Sequence, residues 1–236
     1  MVYGIAAGIF AVGTASILLI RTRIHREGKE PISLKILLAG VEYVFHKKVV
    51  FGAITLDLFV VLLGGATALL PVYAKDILDV GAWGAGLLRS AMAAGGVGTA
   101  LILTQIAITR NLGRILFICV TIFGICTIVF GLSTWFALSV AAMAVLGAAD
   151  MISVYIRQTL VQMATPDDMR GRVSAVNSVF VSTSNEIGEF RAGVVAAWIG
   201  AVPAVVLGGI GSVMIAGGFW KLFPELAHVQ RMDRSL

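Results

Sequence analysis

The sequence has few residues of the kinds that carry out chemistry in soluble enzymes. Charged residues occupy 13% of the 236 positions, about half the ~25% that is typical of soluble domains. Its three histidines and two cysteines lack the spacing of a zinc site. No phosphate-binding loop and no nucleophile elbow occurs, so nothing indicates ATP-driven work. We therefore expect no metal and no cofactor, and a membrane-embedded enzyme is the least favoured interpretation.

Apolar residues are correspondingly frequent in the sequence. They make up 58% of the chain, and the mean hydropathy is +0.96. Stretches near the ~20 residues that cross a bilayer recur along the sequence, which predicts an all-α, polytopic membrane protein with about seven transmembrane helices. The spans are expected at 1–20, 49–71, 84–107, 115–132, 135–162, 173–198 and 202–222.

The spans divide the chain into four regions. A first transmembrane helix at 1–20 is followed by a basic loop at 21–48, whose residues 32–48 have an amphipathic helical pattern. This helix either lies in the headgroup plane or packs on the cytosolic helix ends. Residues 49–222 are expected to form a six-helix bundle. Residues 223–236 are expected to be a polar, frayed cytoplasmic tail.

Basic residues predict the orientation of the chain. Fourteen of the eighteen Lys and Arg fall in the loop at 21–48, the turns at 110–114 and 170–172, and the segment 221–234. With alternating spans these segments share one side, and a strong excess of Lys and Arg marks the cytoplasmic side. This bias also accounts for the pI of about 9.5, so we expect no nucleic-acid partner.

Ionisable and amide side chains within the spans are the candidates for a substrate and proton pathway. Burying a charge in hydrocarbon costs at least ~2.5–3.5 kcal/mol, so such residues face a bundle interior or a water-filled path. Since no histidine lies in a span, a proton carrier here would be a carboxylate. The candidates are Asp57, Arg89, Asp150, Arg157, Asn177, Asn185, Glu186, Glu189 and Arg191.

Purely structural roles are the alternative to a pathway role for these residues. Asp150 and Arg157 could hydrogen-bond neighbouring helices, and Arg89 could extend to the headgroups. On the sixth span, polar residues form two adjacent stripes, which line a cavity or join helices. One stripe holds Ser178, Ser182, Asn185 and Glu189, and the other holds Asn177, Ser184, Gly188 and Arg191. The third span is rich in glycine, which favours close helix packing.

Two short inner turns are candidates for a cytoplasmic gating motif. The first contains Arg110, Gly113 and Arg114, and the second contains Asp167, Asp168, Arg170, Gly171 and Arg172. In the second turn we expect Thr165 to be the N-cap of the sixth span and Pro166 its first helical residue. The acids and arginines would then form a latch between helix ends, the alternative being a solvated loop.

Six motifs are distinctive: ALLPVY at 68–73, GAADMISV at 147–154, ATPDDMRGRVSAVN at 164–177, SNEIGEF at 184–190, GGI at 208–210 and LFPEL at 222–226. They resemble the C-terminal half of the major facilitator superfamily, and more narrowly its drug and siderophore exporter branch, which includes enterobactin-exporter-like proteins. RNLGR at 110–114 is similar to the basic end of the superfamily's inner-loop motif, with Thr109 where an Asp is usual. The branch tends to have an acid where this chain has Arg191.

The resemblance implies proton-coupled efflux of a small amphipathic molecule, such as a drug or siderophore, by rocking of two halves. It also implies a multi-pass protein of the bacterial cytoplasmic (inner) membrane with a cytoplasmic C-terminus. The expected partners are the small-molecule substrate, protons and the lipid bilayer. A missing N-terminal half or another copy would complete the transporter. The alternative is a non-transporting, half-size membrane interaction or scaffold protein.

Overall fold

The computed structural model describes residues 2–19, 41–106, 108–227 and 229. These residues are helical almost throughout and include no strand, so the all-α prediction is confirmed. Most of the expected basic loop, including the first part of its amphipathic helix, lies outside the described residues. The chain divides into two units, 1–33 and 34–236. The first unit contains helix α1, Val2–Leu18, which is apolar along its length.

The second unit contains six long helices. After a short helical segment at 41–46, they are α2 (Lys48–Gly64), α3 (Gly81–Gln105), α4 (Leu112–Leu132), α5 (Phe136–Met163), α6 (Arg170–Ile199) and α7 (Ala201–Leu222). With one exception, the helices of this unit begin and end within three residues of the spans that hydropathy predicts.

The exception is the second span, which is interrupted. Helix α2 ends at Gly64 because Gly65 adopts a left-handed conformation with φ of 43°, which a residue without a Cβ tolerates. The chain continues as a 3₁₀ turn (Ala66–Leu69), a single α turn that contains Pro71, and a π turn (Tyr73–Ile77). The C-terminal part of this span, residues 65–77, is therefore irregular.

Five helical stretches in the described part are long and apolar enough to cross a membrane. They are Lys48–Ile77, Gly81–Gln105, Leu112–Leu132, Phe136–Met163 and Ala201–Leu222. Of the other two expected spans, α1 has 17 residues, slightly fewer than the ~20 that match a bilayer core. Helix α6 has 30 residues but is too polar to qualify, which sets it apart from its neighbours.

The six helices pack as a curved row with α3 and α6 at its ends. Helix α3 packs on α5, α5 on α4, α4 on α7, α7 on α2, and α2 on α6. Helix α2 also contacts α5 across the row, and α6 contacts α7. As end members, α3 and α6 each leave one side uncovered by the other described helices.

Close backbone contact between α3 and α5 depends on two glycines. A Cβ at Gly95 would lie 1.9 Å from the Ala144 carbonyl oxygen, and one at Gly147 would lie 2.0 Å from that of Met92. The expected close packing of the glycine-rich span is thus found at Gly95. It is absent at Gly86 and Gly98, where an added Cβ would meet nothing within 4 Å.

The first part of the tail is packed, which corrects the expectation of a frayed tail from residue 223. Residues Pro224–Ala227 form a helical turn, Leu226 is fully buried, and Val229 accepts a hydrogen bond from the Gly113 amide at 3.2 Å. A Cβ at Gly113 would lie 1.9 Å from the Leu226 carbonyl oxygen. Apolar side chains in the LFPEL segment therefore dock the tail under the start of α4.

The predicted helix start at Thr165 is also wrong. Helix α6 begins at Arg170, and the Thr165 hydroxyl donates back to the Val161 carbonyl at 2.6 Å, at the end of α5. The amides of Met169 and Arg170 both donate to the Pro166 carbonyl, at 3.0 and 3.1 Å. A threonine hydroxyl can bond a carbonyl four residues earlier as readily as it caps a following helix, and here the first option prevails.

Candidate functional site

A cavity of about 150 Å³ lies among α2, α3, α4, α5 and α6. Most of its wall is apolar. Its ionisable and amide lining residues are Asp57, Asp150, Arg157, Asn185 and Glu189. Five of the nine residues that the sequence suggests for a substrate and proton pathway are thus brought to one place, although they are far apart in the chain.

An ion pair joins α2 to α5 at the wall of this cavity. Arg157 Nη1 lies 3.1 Å from Asp57 Oδ2, and the two side chains are 4% and 11% exposed. Asp150 lies two helical turns before Arg157 on the same face of α5 and interacts electrostatically with both members of the pair. Pairing of this kind reduces the cost of placing an arginine and an aspartate inside apolar spans.

The guanidinium of Arg157 is not fully satisfied. Its Nε is buried and has no hydrogen-bond partner in the described part of the chain, and Nη1 faces Asp57 without hydrogen-bond geometry. A buried donor without an acceptor costs ~1–3 kcal/mol, and nearly all such groups find a partner. An acceptor inside the cavity, from a ligand or from water, would remove that cost.

The two polar stripes of α6 have different environments. Asn185 and Glu189, from the first stripe, line the cavity and are exposed, as are Ser178 and Ser182. The second stripe faces α2: Ser184 is buried, and a Cβ at Gly188 would lie 2.6 Å from the Val61 carbonyl oxygen. One stripe therefore packs helices together, and the other is left open beside the cavity.

Four other candidate residues do not line the cavity. Arg89 and Glu186 are exposed on α3 and α6, and Asn177 is buried with its Oδ1 unpartnered among the described residues. Arg191 donates from Nε to the Leu62 carbonyl at 2.8 Å and from Nη2 to the Leu63 carbonyl.

Arg191 thus binds carbonyls that the interruption of α2 leaves without helical donors. The last four carbonyls of a helix lack partners within it, and those of α2 precede the turn at Gly65. Sequence reasoning did not assign this role to Arg191. The Gly64–Gly65 pair, which marks a helix end before Pro71, was the available signal that a donor would be required there.

The second inner turn closes on itself and on the segment at 41–46. Arg170 Nη1 lies 2.6 Å from Asp167 Oδ1, and Arg170 Nε donates to the Gln162 carbonyl at 3.2 Å. The Tyr43 hydroxyl donates to the Ala164 carbonyl. Burial, followed by the nearby charge of Asp168, raises the pKa of Tyr43. These contacts tie the C-terminal end of α5 to its neighbours.

The remaining gating candidates make fewer contacts. Arg172 Nη1 lies 3.3 Å from the Met169 sulfur, and a Cβ at Gly171 would meet nothing within 4 Å. Arg110, Arg114 and Asp168 are exposed. Gly113 packs against the tail. Within the described ranges, no ion pair connects the two inner turns.

The fold and the cavity together describe a multi-pass membrane protein whose apolar helices surround a small cavity with a few ionisable residues in its wall. The family model of the Major Facilitator Superfamily matches residues 1–189, so the chain belongs to this superfamily and is a transporter. Its substrate is accordingly a small molecule that crosses the bilayer. No curated protein and no solved structure gave a significant match.

Proposed function

We propose that this chain takes part in proton-coupled efflux of a small amphipathic molecule, as the motifs shared with the drug and siderophore exporter branch suggest. The observation that carries the proposal is the meeting of Asp57, Asp150, Arg157 and Glu189 in one cavity between apolar helices. Ionisable residues at this depth are costly, and in membrane proteins they mark substrate and ion pathways. The mostly apolar wall suits the body of an amphipathic substrate.

The distribution of partners among the carboxylates supports exchange of a proton for substrate. Asp57 is held by Arg157. Asp150 and Glu189 have no direct ion-pair partner among the described residues. A proton and the polar group of a substrate would then compete for these two carboxylates. Competition for one site couples the two movements, because release of one allows binding of the other.

The exposed stripe of α6 supports a path shared with a second half. Asn185 and Glu189 would face lipid if nothing covered them, at a cost of several kcal/mol for an unpaired charge. We propose that the missing N-terminal half, or another copy of this chain, covers α3 and α6 and completes the path. By itself the chain is expected not to transport.

Basic residues support an orientation in which the end of the bundle that holds the C-terminus is cytoplasmic, and the resemblance to the exporter branch supports the inner membrane of a bacterium. The segment 41–46 contacts the turn after α5 through Tyr43, and the turn before α4 contacts the tail through Gly113. The loop 21–48 that contains the segment 41–46, the two turns and the segment 221–234 together carry fourteen of the eighteen Lys and Arg, which supports a cytoplasmic position for them and for the C-terminus.

The test is efflux of amphipathic dyes from proteoliposomes with an imposed pH gradient. The chain would be fused after the first five helices of an active major facilitator exporter, with one cationic, one neutral and one anionic dye as substrates. We expect gradient-dependent efflux of at least one dye, lost in Asp150→Asn or Glu189→Gln and retained in Glu186→Gln. Efflux that survives both first substitutions would contradict the proposed pathway.

Two further experiments use the chain without the fusion partner. Efflux by the chain alone, abolished by the same substitutions, would show that no second half is required. Binding of a dye in weakly buffered solution should release protons, detected with a pH indicator, if substrate and proton compete for the same carboxylates. Binding without proton release would contradict proton exchange and would favour a scaffold or an uncoupled carrier.

A further inference from the structure

We propose that the cavity selects organic cations: its ligand has a positive centre on an apolar body and is neither an anion nor a neutral chelator. This inference rests on the proposed function, because it names the substrate class of the same site. It comes from the balance of charge in the cavity wall, the shape of the apolar part and the unpaired donor on Arg157.

The wall has an excess of negative charge. Its described ionisable residues are three carboxylates, Asp57, Asp150 and Glu189, and one cation, Arg157. Since Arg157 lies 3.1 Å from Asp57, that pair is neutral as a unit, and two carboxylates remain uncompensated. Asp150 is partly buried and Glu189 is exposed; a carboxylate beside an apolar wall attracts a cation more strongly than it would in bulk water, and it repels an anion.

Arg191 does not cancel this excess at the cavity. It lies two residues after Glu189 on α6, but its guanidinium binds the Leu62 and Leu63 carbonyls. It is absent from the lining of the cavity. An anionic ligand would therefore meet carboxylates at the wall before it met a free cation.

The rest of the wall fits a bulky apolar body of variable shape. Phe123 and Leu146 contribute rigid apolar surface, and Met92 of α3 and Met143 of α5 contribute flexible thioethers. Methionine side chains adapt to irregular shapes and are used where one surface accepts several ligands. The combination of two free carboxylates with such a wall suits lipophilic cations.

Arg157 supplies an independent sign that the cavity holds a polar ligand or water and is not a packing defect. Its side chain is 4% exposed, and its Nε lacks an acceptor among the described residues. A buried donor left open in a cavity wall calls for an acceptor from the occupant. The positive centre would then lie toward Asp150 and Glu189, and an acceptor or bridging water toward Arg157.

The test compares two probes of nearly equal size and opposite charge, tetraphenylphosphonium and tetraphenylborate. Each is titrated into nanodiscs that contain the full chain. Empty nanodiscs of the same lipid give the partition background, which is subtracted, and nanodiscs that contain the double variant Asp150→Asn/Glu189→Gln show how much of the remaining binding depends on the two carboxylates. We expect saturable binding of tetraphenylphosphonium, about tenfold tighter than that of tetraphenylborate. Each single substitution should raise the Kd of the cation about tenfold, consistent with the loss of one charge contact.

Glu186→Gln is the matched control, because it removes a carboxylate from the same helix without touching the cavity. It should leave the Kd of the cation unchanged. Helicity and a single symmetric elution peak would show that each variant is folded, and Glu189 is exposed, so its substitution leaves the packing intact. Equal or tighter binding of tetraphenylborate, no saturable binding of either ion, or a Kd equally affected by Glu186→Gln would each overturn the proposal.

The result of this binding test can be distinguished from the result of the efflux test. Cation-selective binding without pH-driven efflux would leave the cation site intact and would remove the exporter role. Efflux driven by pH that carries the anionic or neutral dye in preference to the cationic one would keep the exporter role and would overturn the cation site.

Discussion

Helices α5 and α6 both carry charges in the middle of long helices, yet their surroundings differ. Helix α5 contacts α2, α3 and α4, and its Arg157 is 4% exposed and paired with Asp57. Among the long helices, α6 packs mainly on α2 and α7, and its Glu186 and Glu189 are exposed. The first helix buries Arg157 in an ion pair with Asp57, whereas the second leaves two carboxylates on an open face.

This difference separates two uses of a charge within the membrane. In α5 the charged side chain of Arg157 joins α5 to α2 and forms part of the cavity wall. The stability of the bundle and the geometry of the cavity therefore depend on the same side chain. In α6 the open stripe contributes little to the packing of the described bundle. Substitutions in α5 should therefore change stability first, and substitutions on the open face of α6 should change function with stability retained.

The largest expected effect is at Arg157. Arg157→Leu leaves Asp57 buried without its partner, and loss of one member of a buried pair costs ~3–5 kcal/mol. Thermal unfolding in detergent, followed by circular dichroism, should show a large fall in the midpoint. Asp57→Asn combined with Arg157→Gln should recover part of the loss, because no unpaired charge remains.

Glu186→Leu is the comparison for this prediction on α6. Its side chain is exposed and does not line the cavity, so the change in stability should stay within about 0.5 kcal/mol. If Arg157→Leu and Glu186→Leu lowered the unfolding midpoint equally, the proposed difference between the buried ion pair of α5 and the exposed face of α6 would be contradicted.

A smaller effect should distinguish a glycine in α5 from one in α6. Gly147→Ala places a Cβ against the Met92 carbonyl and should destabilise the bundle by about 1–3 kcal/mol, since the backbones of α3 and α5 must separate. Gly171→Ala meets nothing within 4 Å and should stabilise by up to ~1 kcal/mol through helix propensity. Denaturation midpoints of the two variants would check this. A shift of the same sign in both would contradict it.

Sequence reasoning located the helices and much of the cavity for a physical reason. Apolar stretches long enough to span a bilayer have few alternatives to helix, so the spans follow from local composition. Asp57, Asp150, Arg157, Asn185 and Glu189 could be selected because polar groups in such stretches must face inward or toward water. The superfamily resemblance also follows from local motifs and is confirmed by the family match.

The features that sequence reasoning missed depend on a partner from elsewhere in the chain. The Thr165 hydroxyl could form a hydrogen bond with the helix before it or with the helix after it, and the packing of the turn determines which bond forms. The tail is packed because Gly113 leaves room for Leu226. Arg191 sits within a polar stripe that suggests a pathway, but its hydrogen bonds go to α2. The narrower assignment to an exporter branch stays a prediction.

The smallest expected effect concerns Arg191 and the interruption of α2. Arg191→Leu removes two hydrogen bonds to the Leu62 and Leu63 carbonyls. The side chain is only partly buried, so water replaces part of what is lost, and the cost should be about 1 kcal/mol. Hydrogen exchange followed by mass spectrometry should show faster exchange around Gly65, where the chain leaves the helix. Arg191→Lys keeps one donor and should have an intermediate effect. Glu189→Gln, one half-turn earlier on the open stripe, should leave exchange at Gly65 unchanged. Equal acceleration in Glu189→Gln would mean that the two stripes of α6 do not act separately, and the contrast between its packed and open faces would be lost.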